Sequence, residues 1–104
     1  VASTAQSINQ LIDSAARLQL LKEQSQISRH DLEQKYATLQ NEFRVIIEAT
    51  DNQSKLLREA FSQMNTAHSP REIKEALYHL SNGQLIVSMK EINDFLSGNG
   101  SITL

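Results

Sequence analysis

The chain has no cysteine, so neither a disulfide framework nor thiolate chemistry is open to it. That lack does not fix a compartment, because cytosolic and exported proteins alike can do without cysteine. Glycine and proline are scarce, at three and one. All of them, Pro70, Gly83, Gly98 and Gly100, lie in the last third of the chain or at a proposed break. So few helix breakers leave room for long uninterrupted helices. No apolar run approaches the roughly 18 residues that a membrane-spanning helix needs. Leu85-Ile86-Val87 stops at Ser88, and membrane insertion is not expected. Positive charge is not in excess either. A net charge of −2 argues against a polyanion-binding surface. No glycine-rich loop precedes a helix, since Gly98-Asn99-Gly100 follows one and suits helix termination.

What remains is a chain of 104 residues, 39% hydrophobic and 21% charged, which fits one domain with a modest core. It opens on Val1, which suggests a processed product or an excised piece. Its address is left open between cytoplasmic and exported.

The most regular stretch is 28–66. Leu32, Tyr36, Leu39, Phe43 and Ile46 alternate in steps of four and three, as the a and d positions of a heptad do. The frame continues through Thr50, Gln53, Leu57, Ala60 and Met64. A single helix over that span would be about 58 Å long. Its weak point is Thr50-Asp51-Asn52-Gln53-Ser54, five polar residues in a row. They form either a polar layer in a continuous helix, the reading preferred here, or a kink or break.

A first helix is expected over 3–24, with Ile8, Leu11, Ile12, Ala15, Leu18 and Leu21 on one face. Ser28 followed by Asp31 resembles an N-cap with an acidic first turn, and Ile27 stands where a residue would pack onto Leu32. These signals favour a break at 24–27 over one unbroken helix to 66. Ser69, Pro70 and Glu72 give a strong start for a third helix over 70–97. It carries Ile73, Ala76, Leu77 and Leu80, is interrupted at Asn82-Gly83, and resumes with Ile86, Met89, Ile92, Phe95 and Leu96 on a rotated face. The interruption is either a local defect or the junction to a fourth helix after Asn82. Residues 99–104 read as a flexible tail.

Short connections make sequence neighbours antiparallel. The expected fold is all-α, a slim antiparallel three-helix bundle with coiled-coil-like packing. Its outer helices would overlap only near Leu39, Phe43, Ile46 and Ile47, with Ile8, Leu11, Ile92 and Phe95 completing the core. The two ends would then be two helices thick and leave apolar flanks uncovered. Such patches mark partner surfaces. The candidate partner-binding residues are Leu57, Phe61, Met64, Ile73 and Leu77.

Chemistry finds little purchase. His30 and His68 fall near opposite ends of the long helix and would not share a metal within one chain. Glu75 and His79, one turn apart, read as a solvent-facing hydrogen-bonded pair and not as part of a di-iron set. No metal, cofactor or small-molecule substrate is implied, and no enzyme is expected. Lys55, Arg58, Arg71 and Lys74 could gather near His68, but Glu59, Glu72 and Glu75 lie among them and cancel most of the field. The expected function is a non-catalytic protein–protein interaction module: an adaptor, an assembly subunit or a small secretion-type chaperone. It would act on a protein partner or as a homodimer. The alternative is a small regulatory helical protein associated with nucleic acid.

Overall fold

The computed structural model describes residues 4–50, 53–64, 68–84 and 87–96. Within them lie five α-helices: α1 (Thr4–Glu23), α2 (Arg29–Glu48), α3 (Gln53–Gln63), α4 (Pro70–Leu80) and α5 (Met89–Leu96). No strand occurs among the described residues. Expectations placed on residue 3, Asp51, Asn52, Leu85, Ile86, Gly98 and the tail 99–104 fall outside them.

Local chemistry sets the helix ends. At the end of α1 the chain reverses through Ser25, which adopts a left-handed φ of 55°. The Gln26 N–H reaches the Leu21 carbonyl at 2.9 Å and the Ser25 N–H reaches that of Lys22 at 3.1 Å. This is the Schellman pattern, with serine where glycine is usual. The end of α4 repeats it. Asn82 has φ 56°, and the Gly83 and Asn82 N–H groups bond to the Tyr78 and His79 carbonyls at 2.8 and 3.1 Å. Asn82-Gly83 therefore closes one helix, and α5 is a separate element. Ser28, Ser69 and Ser88 each accept a hydrogen bond from the backbone N–H three residues on, at 3.1, 3.2 and 3.1 Å. Serine oxygens thus satisfy orphan donors at the starts of α2, α4 and α5. Ile27 before α2 and Val87 before α5 pack into the core, in the position of a hydrophobic staple.

The long central rod does not form. α2 stops at Glu48, and Ala49 caps it. The polar run preferred above as a layer in a continuous helix instead terminates it. Thr50 Oγ1 donates to the Ile46 carbonyl at 2.9 Å, and Gln53 Nε2 to that of Ile47 at 3.4 Å. The Thr50 N–H turns in to Ile47 at 3.1 Å. Polar side chains here take over carbonyls that a continuing helix would have bonded, which is how such residues compete with helix. The molecule accordingly measures 37 × 27 × 27 Å, with a radius of gyration of 13.1 Å. It is a short bundle, not a slim one.

The break also changes which helix is central. α1 touches α2, α3 and α4; α4 also touches α2 and α5; α5 leans on α3. The most deeply buried large side chains are Ile8 and Ile12 of α1, Leu57 of α3, Ile73, Leu77 and Leu80 of α4, Val87, and Ile92 of α5. Of the core residues expected where the outer helices overlap, Leu39, Ile46 and Ile47 of the rod and Phe95 of the third helix are only partly buried. The expected two-helix ends are absent from the described structure for the same reason. With α3 folded back, α1 and α5 cover its apolar side, and Phe61 meets the Phe95 ring at 5.2 Å.

Candidate functional site

The five residues expected to meet a partner lie inside the fold. Leu57 and Leu77 are fully buried, Ile73 and Phe61 nearly so, and Met64 is 7% exposed. The apolar flank from which they were inferred belonged to an unbroken rod. No helix among the described residues is long and apolar enough to cross a membrane.

The surface feature that the break creates is a half-open groove of about 710 Å³. The C-terminal half of α2, the start of α3 and the end of α4 form its walls. Phe43, Ile47, Leu57 and Leu80 make the floor. Phe43, Leu57 and Leu80 are themselves almost wholly buried, so the apolar surface within reach comes from half-buried Ile47 and from exposed Ala37 on the α2 wall. The rim carries the amides Gln40, Asn41, Gln53, Asn82 and Gln84. Some already work within the fold. Gln40 Nε2 donates to the His79 carbonyl at 2.6 Å, which ties α2 to α4. Asn41 Oδ1 accepts from Arg44 at 2.8 Å. Arg44 also pairs with Glu48 at 3.3 Å, so the charges on the groove wall offset each other.

The elements converge there because two helix ends line the same groove: the end of α2 at Ile47 and Glu48, and the Schellman turn after α4 at Ser81 and Asn82. Both stops were visible in the sequence as weak points. Their convergence was not, because it depends on where α3 goes after the break.

Two histidines fasten α4. His79, near its end, stacks on Tyr36 of α2 with ring centroids 4.7 Å apart and planes at 24°. Tyr78 meets the same ring edge-on at 5.7 Å. Burial, and then the Lys22 charge, hold the His79 imidazole below its ordinary value, against the opposing pull of Glu75. Glu75 accepts from Arg71 at 3.2 Å, so the expected solvent-facing Glu75–His79 pair is replaced by two separate contacts. The Tyr36 hydroxyl donates to the Ala15 carbonyl at 3.3 Å. Burial, helped by Glu75, pushes its pKa up to about 12.

His68 precedes α4 and is only 14% exposed. Its Nδ1 lies 3.0 Å from Glu72 Oε2, and its Nε2 makes a short hydrogen bond to Asp13 of α1. Asp13 in turn pairs with Arg17 at 3.2 Å. Of the basic cluster considered above, His68 thus faces two carboxylates and Arg71 one. Among the described residues no three His, Asp or Glu groups are arranged to hold a metal ion. No protein-family model, curated protein or solved structure matches the chain.

Proposed function

We propose that this chain is a non-catalytic protein–protein interaction module, an adaptor or assembly subunit, that seats an uncharged stretch of a partner polypeptide in the groove between α2, α3 and α4. The observation that carries the reading is the lining of that groove. Ile47 and the Phe43 edge offer an apolar floor, and exposed Asn82 and Gln84 sit on the rim. Side-chain amides both donate and accept, which suits the N–H and C=O groups of a peptide backbone. The offsetting Arg44 and Glu48 charges give a phosphate or a nucleic-acid strand little purchase. A volume of about 710 Å³ also lies in the range of small-molecule sites, so the test must separate the two.

Peptides selected from a random library on the immobilised protein provide that test. The expected result is binding that shifts the amide resonances of 40–48 and 80–84 and is lost in Ile47→Arg. Selected peptides that map elsewhere and survive Ile47→Arg would overturn the reading, as would a small-molecule library that yields groove binders where peptides yield none. Sedimentation over a range of concentrations adds the homodimer case. A dimer disrupted by Ile47→Arg makes a second copy of the chain the polypeptide in the groove.

A further inference from the structure

His68 is held in a way that only one of its charge states satisfies. Its two ring nitrogens face carboxylates on different helices: Nε2 faces Asp13 of α1, and Nδ1 faces Glu72 of α4. A neutral imidazole has one N–H to donate and presents a lone pair at its other nitrogen. Against two carboxylates, that lone pair would meet an oxygen lone pair at hydrogen-bond distance. The imidazolium donates at both positions. Charge-assisted bonds of this kind are roughly twice as strong as neutral ones.

We propose that His68 is a proton-dependent clasp: its imidazolium ties the start of α4 to α1 through Asp13 and Glu72, and loss of the proton releases one side.

The surroundings fit this role from each element. From α1 the ring meets Asp13, whose other oxygen is held by Arg17 at 3.2 Å and is thereby fixed in place. From α4 it meets Glu72, which is also positioned by the cap, since Ser69 Oγ donates to Glu72 Oε1 at 3.2 Å. The N-terminus of α4 opposes a cation, because the helix dipole is positive there. The charges that act on the ring are those of Asp13 and Glu72, and none from α3 is among them. The last residue of α3, Gln63, accepts from Asn9 of α1 through its carbonyl at 3.2 Å, one turn of α1 away from Asp13. Burial disfavours the imidazolium, but the hydrogen bonds to Asp13 and Glu72 and their charges outweigh it and raise the His68 pKa. A histidine whose folded pKa is raised stabilises the fold fully below its unfolded value of about 6.5. That contribution is lost as the pH rises through the folded value.

The test is an NMR pH titration of the imidazole carbon-bound protons in the whole chain, with His68→Gln identifying the signal. The expected midpoint for His68 lies above the ordinary value and moves down in Asp13→Asn and again in Glu72→Gln. Hydrogen exchange of the amides of 71–74 should quicken through the same midpoint, while those of 77–80 stay protected. A His68 midpoint at or below the ordinary value, or one that neither variant moves, would overturn the clasp. So would exchange at 71–74 that is indifferent to the titration. Asp13→Asn and Glu72→Gln each remove one charge and leave a hydrogen-bonding side chain, so the test does not depend on His68→Gln folding.

Discussion

α1 and α2 are the same length, 20 residues each, but they do different work. α1 buries seven residues and α2 three. At about 100° per residue, the buried positions of α1 sweep about 160° of its circumference, from Leu18 and Leu11 round to Ala5 and Ala16, whereas Leu32, Tyr36 and Phe43 of α2 cover about 40°. The wide arc lets α1 serve three neighbours at once, and its alanines allow close approach. The narrow stripe gives α2 one seam. Its remaining surface carries Arg29, Asp31, Glu33, Lys35, Glu42, Arg44 and Glu48, all exposed to water. Heptad regularity is thus a sign of a helix that lies against the bundle. Centrality shows instead in the width of the apolar arc and the scarcity of charge.

The largest test of this contrast is truncation. Ile12→Ala in α1 removes a fully buried side chain and is expected to cost about 3 kcal/mol. Leu39→Ala, on the half-buried flank of α2, should cost less than about 1.5 kcal/mol. Urea midpoints at constant slope measure both. Equal losses would show that α2 is as central as α1.

A smaller effect comes from the contact between the two. Tyr36→Phe removes the hydroxyl that reaches the Ala15 carbonyl and should cost about 1 kcal/mol near neutral pH. The folded tyrosine titrates near 12 and the unfolded one near 10. A raised folded pKa gives stability that is present below the unfolded value and lost above it. The gap between wild type and Tyr36→Phe should therefore shrink as the pH climbs from 10 towards 12. A gap that stays constant would mean that the hydroxyl is not buried in solution.

How much of this was legible follows from what each residue does locally. Ser28, Ser69 and Pro70 announce helix starts by chemistry that acts within four residues, and the structure has helices starting there. Asn82-Gly83 and 50–54 were equally visible as weak points, but whether a weak point bends, ends or merely decorates a helix is decided elsewhere. At Thr50 it is decided by the burial that α3 gains on α1 and α5. The unbroken heptad frame from Leu32 to Met64 hid this, because Leu57, Ala60 and Met64 are apolar in either arrangement. The groove was illegible for the same reason: its walls meet only after α3 has turned. The partners of His68 were beyond reach as well, since Asp13 lies 55 residues away in sequence.

Acid should widen the difference between α1 and α2. His79 joins α4 to α2 through Tyr36, and its pKa is lowered in the fold. A histidine with a lowered folded pKa binds its proton more readily when unfolded. Its contribution is present above the ordinary value of about 6.5 and is lost as the pH falls from there through the folded value. His68, which joins α4 to α1, runs the other way. On acidification, amide exchange in α2 should therefore quicken relative to α1, and His79→Gln should abolish that change. Parallel exchange in both helices would put the Tyr36–His79 stack outside the stability of α2.

The smallest effect expected is at the joint itself. Ser25 pays for its left-handed φ of 55° with a steric cost that glycine does not bear. Its neighbours Leu21, Lys22 and Gln26 hold it there through the Schellman bonds. Ser25 is exposed, so replacing it disturbs no packing. Ser25→Gly should raise stability by about 0.5 kcal/mol, the relief of strain being partly offset by the greater freedom of glycine in the unfolded chain. Because the substitution touches neither apolar face, the order of exchange protection, α1 above α2, should survive while the urea midpoint rises slightly. If the midpoint falls, the strain at Ser25 is less than its φ implies. If instead the order of the two helices changes, the turn between them, and not the width of their apolar arcs, governs how firmly α2 is held.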